Sequence, residues 1–182
     1  RVDGGLVGNC VQAAEGQAAG RQAAIKAGLP VSAGATTIKK ICGSGLKAVM
    51  LAAQAIRSGD GDVFVAGGME NMNLAPYYLT KARTGYRMGN AEMIDGMIYD
   101  GLWCAFEKHH MGISAEWIAR EYEVSRQAQD ELAYESHRRA LAAMDAGLFK
   151  DEIVPVPLPG KKGSPPIFFD TDETPRRDTT LE

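Results

Sequence analysis

From Leu46 onward, apolar side chains recur at Leu46, Val49, Met50, Ala53 and Ile56, the i, i+3, i+4, i+7 spacing of one helix face. Ser58-Gly59 closes the run, so the pattern predicts a buried helix. Before it, the β-branched stretch Thr36-Thr37-Ile38-Lys39-Lys40-Ile41 reads as a strand that runs directly into Cys42-Gly43-Ser44-Gly45. After it, Val63-Phe64-Val65-Ala66 reads as a short buried strand ending in Gly67-Gly68. Strand, helix and strand in this order predict a right-handed parallel unit. Upstream, residues up to about Gly28 are small and rich in Gly and Ala, and Glu15 to Ala27 reads as a helix stopped by Gly28 and Pro30. Helical patterning returns from Ser114 to Tyr122 and from Arg126 to Ala146. In the second of these, Ala128, Leu132, Ser136, Ala140 and Met144 are expected on one face, with Gly147 as the stop. The stretch from Pro76 to Gly101 lacks periodicity and reads as a loop excursion. Five of the eight prolines fall between Pro155 and Pro166, which predicts an extended edge or covering loop there.

Composition narrows the class. The chain has 182 residues, 45% hydrophobic and 24% charged, the profile of a soluble globular protein. At this length a single core is expected to remove roughly 70% of the unfolded surface from water without a disulfide or metal staple. Twenty basic and 23 acidic residues leave a formal charge of −3. With no basic block longer than Lys161-Lys162 or Arg138-Arg139, nothing in the sequence marks a nucleic-acid partner. The longest strongly apolar stretch, around Ala48 to Ile56, is about half of what a bilayer core needs, so no membrane span is expected. The sequence starts at Arg1 without an initiator Met or an apolar leader, so no secretory signal is read and a longer natural chain is expected. Three cysteines, Cys10, Cys42 and Cys104, with no C-x-x-C spacing, point to reduced thiols and a cytoplasmic setting rather than to disulfides or zinc.

Cys42 is the sharpest candidate for chemistry. A cysteine where a strand turns into a helix meets free N–H groups and the positive end of the helix dipole, which favour a thiolate. Bringing a thiol from about 8.5 to about 7 takes roughly 2 kcal/mol, whereas a helix terminus typically gives about 0.3 to 1. A second group, such as a histidine, is therefore needed. The competing structural reading makes Cys42 a small buried residue beside a Gly-rich turn. Cys10 and Cys104 have no comparable setting and read as packing residues.

Gly43-Ser44-Gly45-Leu46-Lys47-Ala48 also fits the short glycine fingerprint of dinucleotide sites, so a nucleotide-binding oxidoreductase stays open as an alternative. Against it, Glu70 lies past two glycines beyond the next strand, where it is badly placed for a ribose, and Asp60 and Asp62 come too early. Ser44 lacks the flanking glycines of a hydrolase elbow, because those positions are Cys42 and Leu46. His109 and His110 fit no zinc spacing, and no metal is expected; His110 as a base for Cys42 stays open. His137 reads as solvated surface, and Met88, Met93 and Met97 as adaptable packing.

Taken together, several segments resemble the thiolase family. The likeness runs from Ile41-Cys42-Gly43-Ser44-Gly45-Leu46-Lys47-Ala48-Val49 to Val65-Ala66-Gly67-Gly68-Met69-Glu70-Asn71-Met72. It continues through His110-Met111-Gly112-Ile113-Ser114-Ala115-Glu116, Ser125-Arg126-Gln127-Ala128-Gln129-Asp130 and Phe149-Lys150-Asp151-Glu152-Ile153-Val154-Pro155-Val156. It covers almost the whole chain in one register.

The resemblance implies an α/β, thiolase-like layered fold, of which this chain is most of the N-terminal βαβ half with its helical and loop insertion. Residues 1–75 would form part of the domain that carries the nucleophile, and 76–182 the loop and insertion domain. Cys42 would take an acyl group from acyl-CoA as a thioester, with its backbone N–H in the oxyanion hole. Leu102, His110 and Met111 match positions that line the coenzyme A and acyl channel, which makes His110 a channel residue rather than a base. Two acetyl-CoA would give acetoacetyl-CoA and CoA, with thiolysis the reverse, and the His110-Met111 pair is similar to the short-chain type. Coenzyme A thioesters are then the substrates, with no permanently bound cofactor. The loop from Leu79 to Asn90 resembles one through which family members assemble as dimers of dimers, so a homo-oligomer is implied.

Family members are longer, and their activating histidine, water-holding asparagine and second cysteine come from a C-terminal half that has no counterpart in this sequence. Their opening strand and turn also have none. This segment alone is therefore expected to be inactive and to have faces that the other half would cover. After Gln17 the chain has Ala18-Ala19, where an Asn-Pro or similar pair is usual. A degradative 3-ketoacyl-CoA thiolase and a non-catalytic lipid-carrier or CoA-binding module of the same shape remain as alternatives. Lys161 and Lys162 are weighed as contacts for CoA phosphates against a solvated loop.

Overall fold

The computed structural model describes residues 1–160 and 164–181, so the reading of Lys161 and Lys162 lies outside the described residues. The chain forms two compact units, 1–114 and 115–182.

The first unit is built on three parallel strands, β1 (Gly4–Gly8), β2 (Gly34–Ile38) and β3 (Phe64–Gly68), in the order β2-β1-β3. Gly8 is level with Ile38 on one side and Gly68 on the other, so three strand ends meet at one height. The central strand, Gly-Gly-Leu-Val-Gly, is the element that apolar patterning missed, because glycines hold three of its five positions. As expected, β2 and β3 are parallel, but they are not neighbours. The helix between them, α2 (Ser44–Ser58), crosses over β1 and packs on both β1 and β3.

Several boundaries move from their expected places for visible reasons. Helix α1 (Ala19–Lys26) starts later than Glu15, because Ala14, Gly16 and Ala18 all have positive φ and Gln22 Nε2 donates to the Glu15 and Gln17 carbonyls of that irregular turn. Its expected end holds: Gly28 has φ +87°, and Leu29 N–H reaches back to the Ala24 carbonyl. Strand β2 stops at Ile38 rather than Ile41, because Lys40 N–H bonds the Ser44 hydroxyl and Ile41 turns left-handed.

The expected face of α2 is reversed. Its buried residues are Ser44, Ala48 and Ala52, while Leu46 (70% exposed), Val49, Met50 and Ile56 point outward. The helix approaches the sheet too closely for large side chains, so its small face packs and its apolar stripe does not. Among the described residues, the buried apolar side chains are Val11 and five alanines, Ala19, Ala24, Ala33, Ala48 and Ala52. The self-sufficient core expected from length is thus not formed.

The remainder of this unit is a short antiparallel pair, β4 (Tyr77–Tyr78) with β5 (Ile94–Asp95), and a π-helical turn, Ile98–Leu102. Tyr78 Oη donates to Asp100 at 2.7 Å and thereby ties the π-helical turn to the pair. That hydrogen bond, with a smaller contribution from burial, pushes the Tyr78 phenol up to about 12. Helix α3 (Met111–Glu121) begins three residues before the expected Ser114.

In the second unit, α4 (Arg126–Asp145) has Ser125 as its N-cap, whose hydroxyl accepts from Ala128 N–H, and Gly147 follows with positive φ. The expected line Ala128, Leu132, Ser136, Ala140, Met144 is exposed over its first three members. Steps of four advance about 40° each around a helix, so such a line drifts across the surface. The more sheltered line is Asp130, Tyr134, His137, Leu141 and Met144. His137 is accordingly half-buried rather than solvated, and its Nδ1 accepts from Arg176 N–H at 3.2 Å. The proline-rich stretch contributes β6 (Val156–Leu158), which pairs with β7 (Ile167–Phe169) in an antiparallel hairpin. Among the described residues, no helix is long and apolar enough to cross a membrane.

The start of the sheet offers a pH test. Asp3 Oδ2 accepts from the N–H groups of Asp62 (2.8 Å) and Val63 (3.1 Å), which fixes β1 to the entry of β3 and holds the Asp3 carboxyl below its ordinary value. A carboxylate with a lowered folded-state value stabilises at pH above its unfolded value and loses that contribution as the pH falls through the folded one. Asp3→Asn should therefore lower the midpoint of thermal unfolding at pH 7, and the gap to the parent should close as the pH drops below 3.8.

Candidate active site

The site is built on glycine. A Cβ placed on Gly8 would lie 2.5 Å from both the Gly45 nitrogen and the Ser44 carbonyl carbon, and one on Gly68 would lie 3.4 Å from Gly45 Cα. The first turn of α2 therefore sits with its backbone directly on the ends of β1 and β3. At Gly8 only a residue without a side chain permits that contact, and Gly45 and Gly68 pack backbone to backbone beside it, which gives these glycines a packing role in place of a nucleotide fingerprint.

Between Ile38 and Ser44 the chain turns sharply. Gly43 N–H donates to the Lys40 carbonyl (3.1 Å) and Ser44 N–H to the Ile41 carbonyl (3.0 Å). The buried Ser44 hydroxyl accepts from Lys40 N–H (2.7 Å) and donates to the Ile41 oxygen (2.6 Å), on which the Cys10 thiol also converges at 2.7 Å. Ile41 has φ +49°, an outlier for a β-branched residue that costs on the order of 1–3 kcal/mol and needs surrounding structure to hold it. Cys42 follows at once and is exposed, not the buried packing residue of the structural reading. Gly43, the N-cap, contributes no side-chain cap bond, so no cap side chain occupies the N–H groups of the first turn.

The third strand end closes the site. Glu70 accepts from Cys10 N–H (2.7 Å) and Val11 N–H (3.1 Å), one through each carboxylate oxygen. Both oxygens are thus committed to the loop after β1. Asn9, 2% exposed, donates through Nδ2 to the Met69 carbonyl (3.2 Å), while its Oδ1 has no hydrogen-bond partner among the described residues. Burial, the largest influence, pushes the Cys10 thiol above its ordinary value, so it stays protonated and able to donate. A cavity of about 270 Å³ opens here, lined by Asn9, Cys10, Cys42, Ser44, Met69 and Glu70, together with backbone of the three strand ends.

The other candidates lie elsewhere in the first unit. Leu102 ends the π-helical turn, His110 and Met111 open α3, and an antiparallel bridge between Trp103 and His110 brings the two segments together. None of the three lines the Cys42 cavity. His110 Nδ1 accepts from Gly112 N–H (3.3 Å), and His109 Nε2 pairs with the Ser114 hydroxyl (2.7 Å). No group of three or more His, Cys, Asp or Glu side chains able to hold a metal gathers among the described residues. Asn9, Cys10, Ser44 and Glu70 were not foreseen as parts of the site. Their signal was present only in Gly-Asn and Gly-Gly-Met-Glu, two segments that each follow a strand.

The whole chain, residues 1–182, matches the family described as thiolase, N-terminal domain. It is 55% identical over 182 residues to an acetyl-CoA acetyltransferase of Pseudomonas aeruginosa and 54% over 177 residues to one of Cupriavidus necator. These alignments cover 100% and 97% of this chain but 46% and 45% of those proteins, so the chain spans about half the length of the curated relatives it matches. The crystal structure of the Bacillus anthracis acetyl-CoA acetyltransferase superposes with a TM-score of 0.92 at 37% identity, covering 99% of this chain and 45% of that one. The Syntrophomonas wolfei acetyl-CoA acetyltransferase gives 0.88 at 38% identity, with the same coverage. The chain belongs to the thiolase family, and its fold is the α/β fold of the family's N-terminal domain.

The glycine floor yields a direct test. Gly8→Ala forces the first turn of α2 away from β1 and should destabilise the first unit by about 1–3 kcal/mol, read by urea denaturation. Gly28→Ala, where nothing lies within 4 Å, should cost only the left-handed backbone strain at φ +87°.

Proposed function

We propose that this chain is the nucleophile-bearing half of an acyltransferase that moves acetyl groups between coenzyme A thioesters. The observation that carries the reading is an exposed cysteine, Cys42, one residue before the N-cap of a helix whose first turn has no side-chain cap, at the mouth of a cavity. A thiolate there attacks the carbonyl carbon of acetyl-CoA, and the oxyanion that forms meets the Cys42 N–H and the helix terminus. Collapse expels CoA thiolate and leaves acetyl-Cys42. A carbanion made from a second acetyl-CoA then attacks the acetyl carbon, the C–S bond to Cys42 breaks, and acetoacetyl-CoA leaves with the Cys42 thiolate regenerated; thiolysis runs the other way. The names of the Pseudomonas aeruginosa and Cupriavidus necator relatives support the acetyl-CoA substrate.

In this reading residues 1–75 carry the nucleophile and 76–182 form the loop and insertion domain. Leu102, His110 and Met111 line the pantetheine and acyl channel, the complete protein is a cytoplasmic homo-oligomer, and no cofactor stays bound. The base that forms the thiolate and the group that moves the α-proton come from the half of the family's length that has no counterpart in this sequence. The exposed stripe Leu46, Val49, Met50 and Ile56 is the surface that such a half covers. This segment alone is therefore inactive.

The test is intact-protein mass spectrometry of the longest native form of this chain after brief exposure to acetyl-CoA. One acetyl group, removed by hydroxylamine and missing from Cys42→Ser, is the expected result. A full-length, folded protein that takes up no acetyl overturns the reading and leaves a binding module.

A further inference from the structure

We propose that Cys10 and Ser44 are positioning residues for Cys42, acting by clamping the Ile41 carbonyl oxygen from two sides. The inference rests on the nucleophile assignment for Cys42 made above. Three observations carry it. The Ile41 oxygen accepts from the Cys10 thiol at 2.7 Å and from the Ser44 hydroxyl at 2.6 Å, one side chain from the loop after β1 and one from the first turn of α2. The residue they hold is the left-handed Ile41, a conformation that a β-branched residue does not keep by itself. Cys10 is in turn set by Glu70, which takes its backbone N–H at 2.7 Å and that of Val11 at 3.1 Å.

The clamp reaches Cys42 through one rigid body. The peptide joining Ile41 to Cys42 is planar and trans, so its C=O and its N–H point in opposite directions. Fixing the Ile41 oxygen therefore fixes the direction of the Cys42 N–H and the position of the Cys42 Cα from which its side chain departs. Ser44 adds a second constraint, because the same hydroxyl accepts from Lys40 N–H, so the turn is held on both sides of Ile41. Neither Cys10 nor Ser44 has to touch substrate for this. Cys10 acts as a thiol donor, a role that suits a half-buried thiol whose partial burial keeps it protonated.

The experiment compares Cys10→Val, Cys10→Ser and Ser44→Ala with the parent in the longest native form of the chain. The rate at which iodoacetamide alkylates Cys42 is read by peptide mass spectrometry across a pH series. Circular dichroism and thermal unfolding establish that each variant is folded, and rates are compared per folded molecule. With the clamp at work, Cys10→Val and Ser44→Ala slow Cys42 alkylation several-fold and displace its pH midpoint, whereas Cys10→Ser, which keeps a donor, restores most of the parent rate. Acetylation by acetyl-CoA follows the same order, with kcat reduced and KM little changed. Folded Cys10→Val or Ser44→Ala protein with the parent's alkylation rate and midpoint overturns the proposal, as does a Cys10→Ser no better than Cys10→Val. A parent that alkylates normally but takes no acetyl defeats the transferase reading, and the alkylation series still judges the clamp.

Discussion

Everything at the site depends on a backbone-to-backbone contact between the first turn of α2 and the ends of β1 and β3. With Gly8 beneath Ser44 and Gly45, and Gly68 beside Gly45, the helix sits lower on the sheet than any side chain allows. That depth makes the turn from β2 into α2 tight enough to force Ile41 left-handed. It also buries Ser44, whose hydroxyl then has to be satisfied locally, and the partners it finds are Lys40 N–H and the Ile41 oxygen. The placement of Cys42 thus follows from missing side chains, not from a large packed core.

The same depth decides which face of α2 is covered. A helix this close to a sheet presents its smallest residues inward, so Ala48 and Ala52 are buried and the apolar stripe from Leu46 to Ile56 faces out. Burying a side chain of Leu, Val or Ile size is worth about 1.5–3 kcal/mol. Four such side chains left 46% to 70% exposed are therefore a considerable stabilisation not taken up within these 182 residues. The length arithmetic failed for this reason. Length alone implies that a chain supplies both sides of its own core, whereas a helix with its small face packed and a separate stripe of large apolar residues exposed has room for a second layer. On the proposed reading the second layer is the other half of a protein twice as long.

The sequence displayed its helices well and its central strand poorly. Glycine stops at Gly28, Gly59 and Gly147 all coincide with positive φ, because a left-handed residue after a helix is a local demand that the sequence answers locally. Strand β1 was invisible to patterning because glycines hold three of its five positions, two of them, Gly4 and Gly8, where neighbours crowd, and such a strand carries no alternation. The place of Cys42 between β2 and α2 was legible from the strand-to-helix pattern around it. Cys10, Asn9 and Glu70 were not, since each acts across about 30 to 60 residues through backbone groups that leave no trace in spacing. Glu70 shows this most clearly: weighed as a ribose ligand, it is a brace for the loop after β1.

The composition of the cavity wall limits what this half contributes to chemistry. Among the described residues, its lining holds two thiols, a hydroxyl, an amide and a carboxylate, but no His, Lys or Arg. The carboxylate has both oxygens engaged by backbone N–H groups, and the hydroxyl already accepts one bond and donates another. Burial holds the neighbouring thiol in its protonated form. A helix terminus supplies about 0.3 to 1 kcal/mol towards a thiolate, roughly half or less of what a reactive one needs at neutral pH. On the proposed reading the wall orients a nucleophile and a base to deprotonate it comes from elsewhere. Orientation and proton transfer are separable tasks, and the first calls for rigid backbone while the second calls for a titratable side chain brought within hydrogen-bond reach. On the proposed reading the two tasks divide between the two halves of the longer protein, so that Cys42 acquires its full reactivity only when they are packed together.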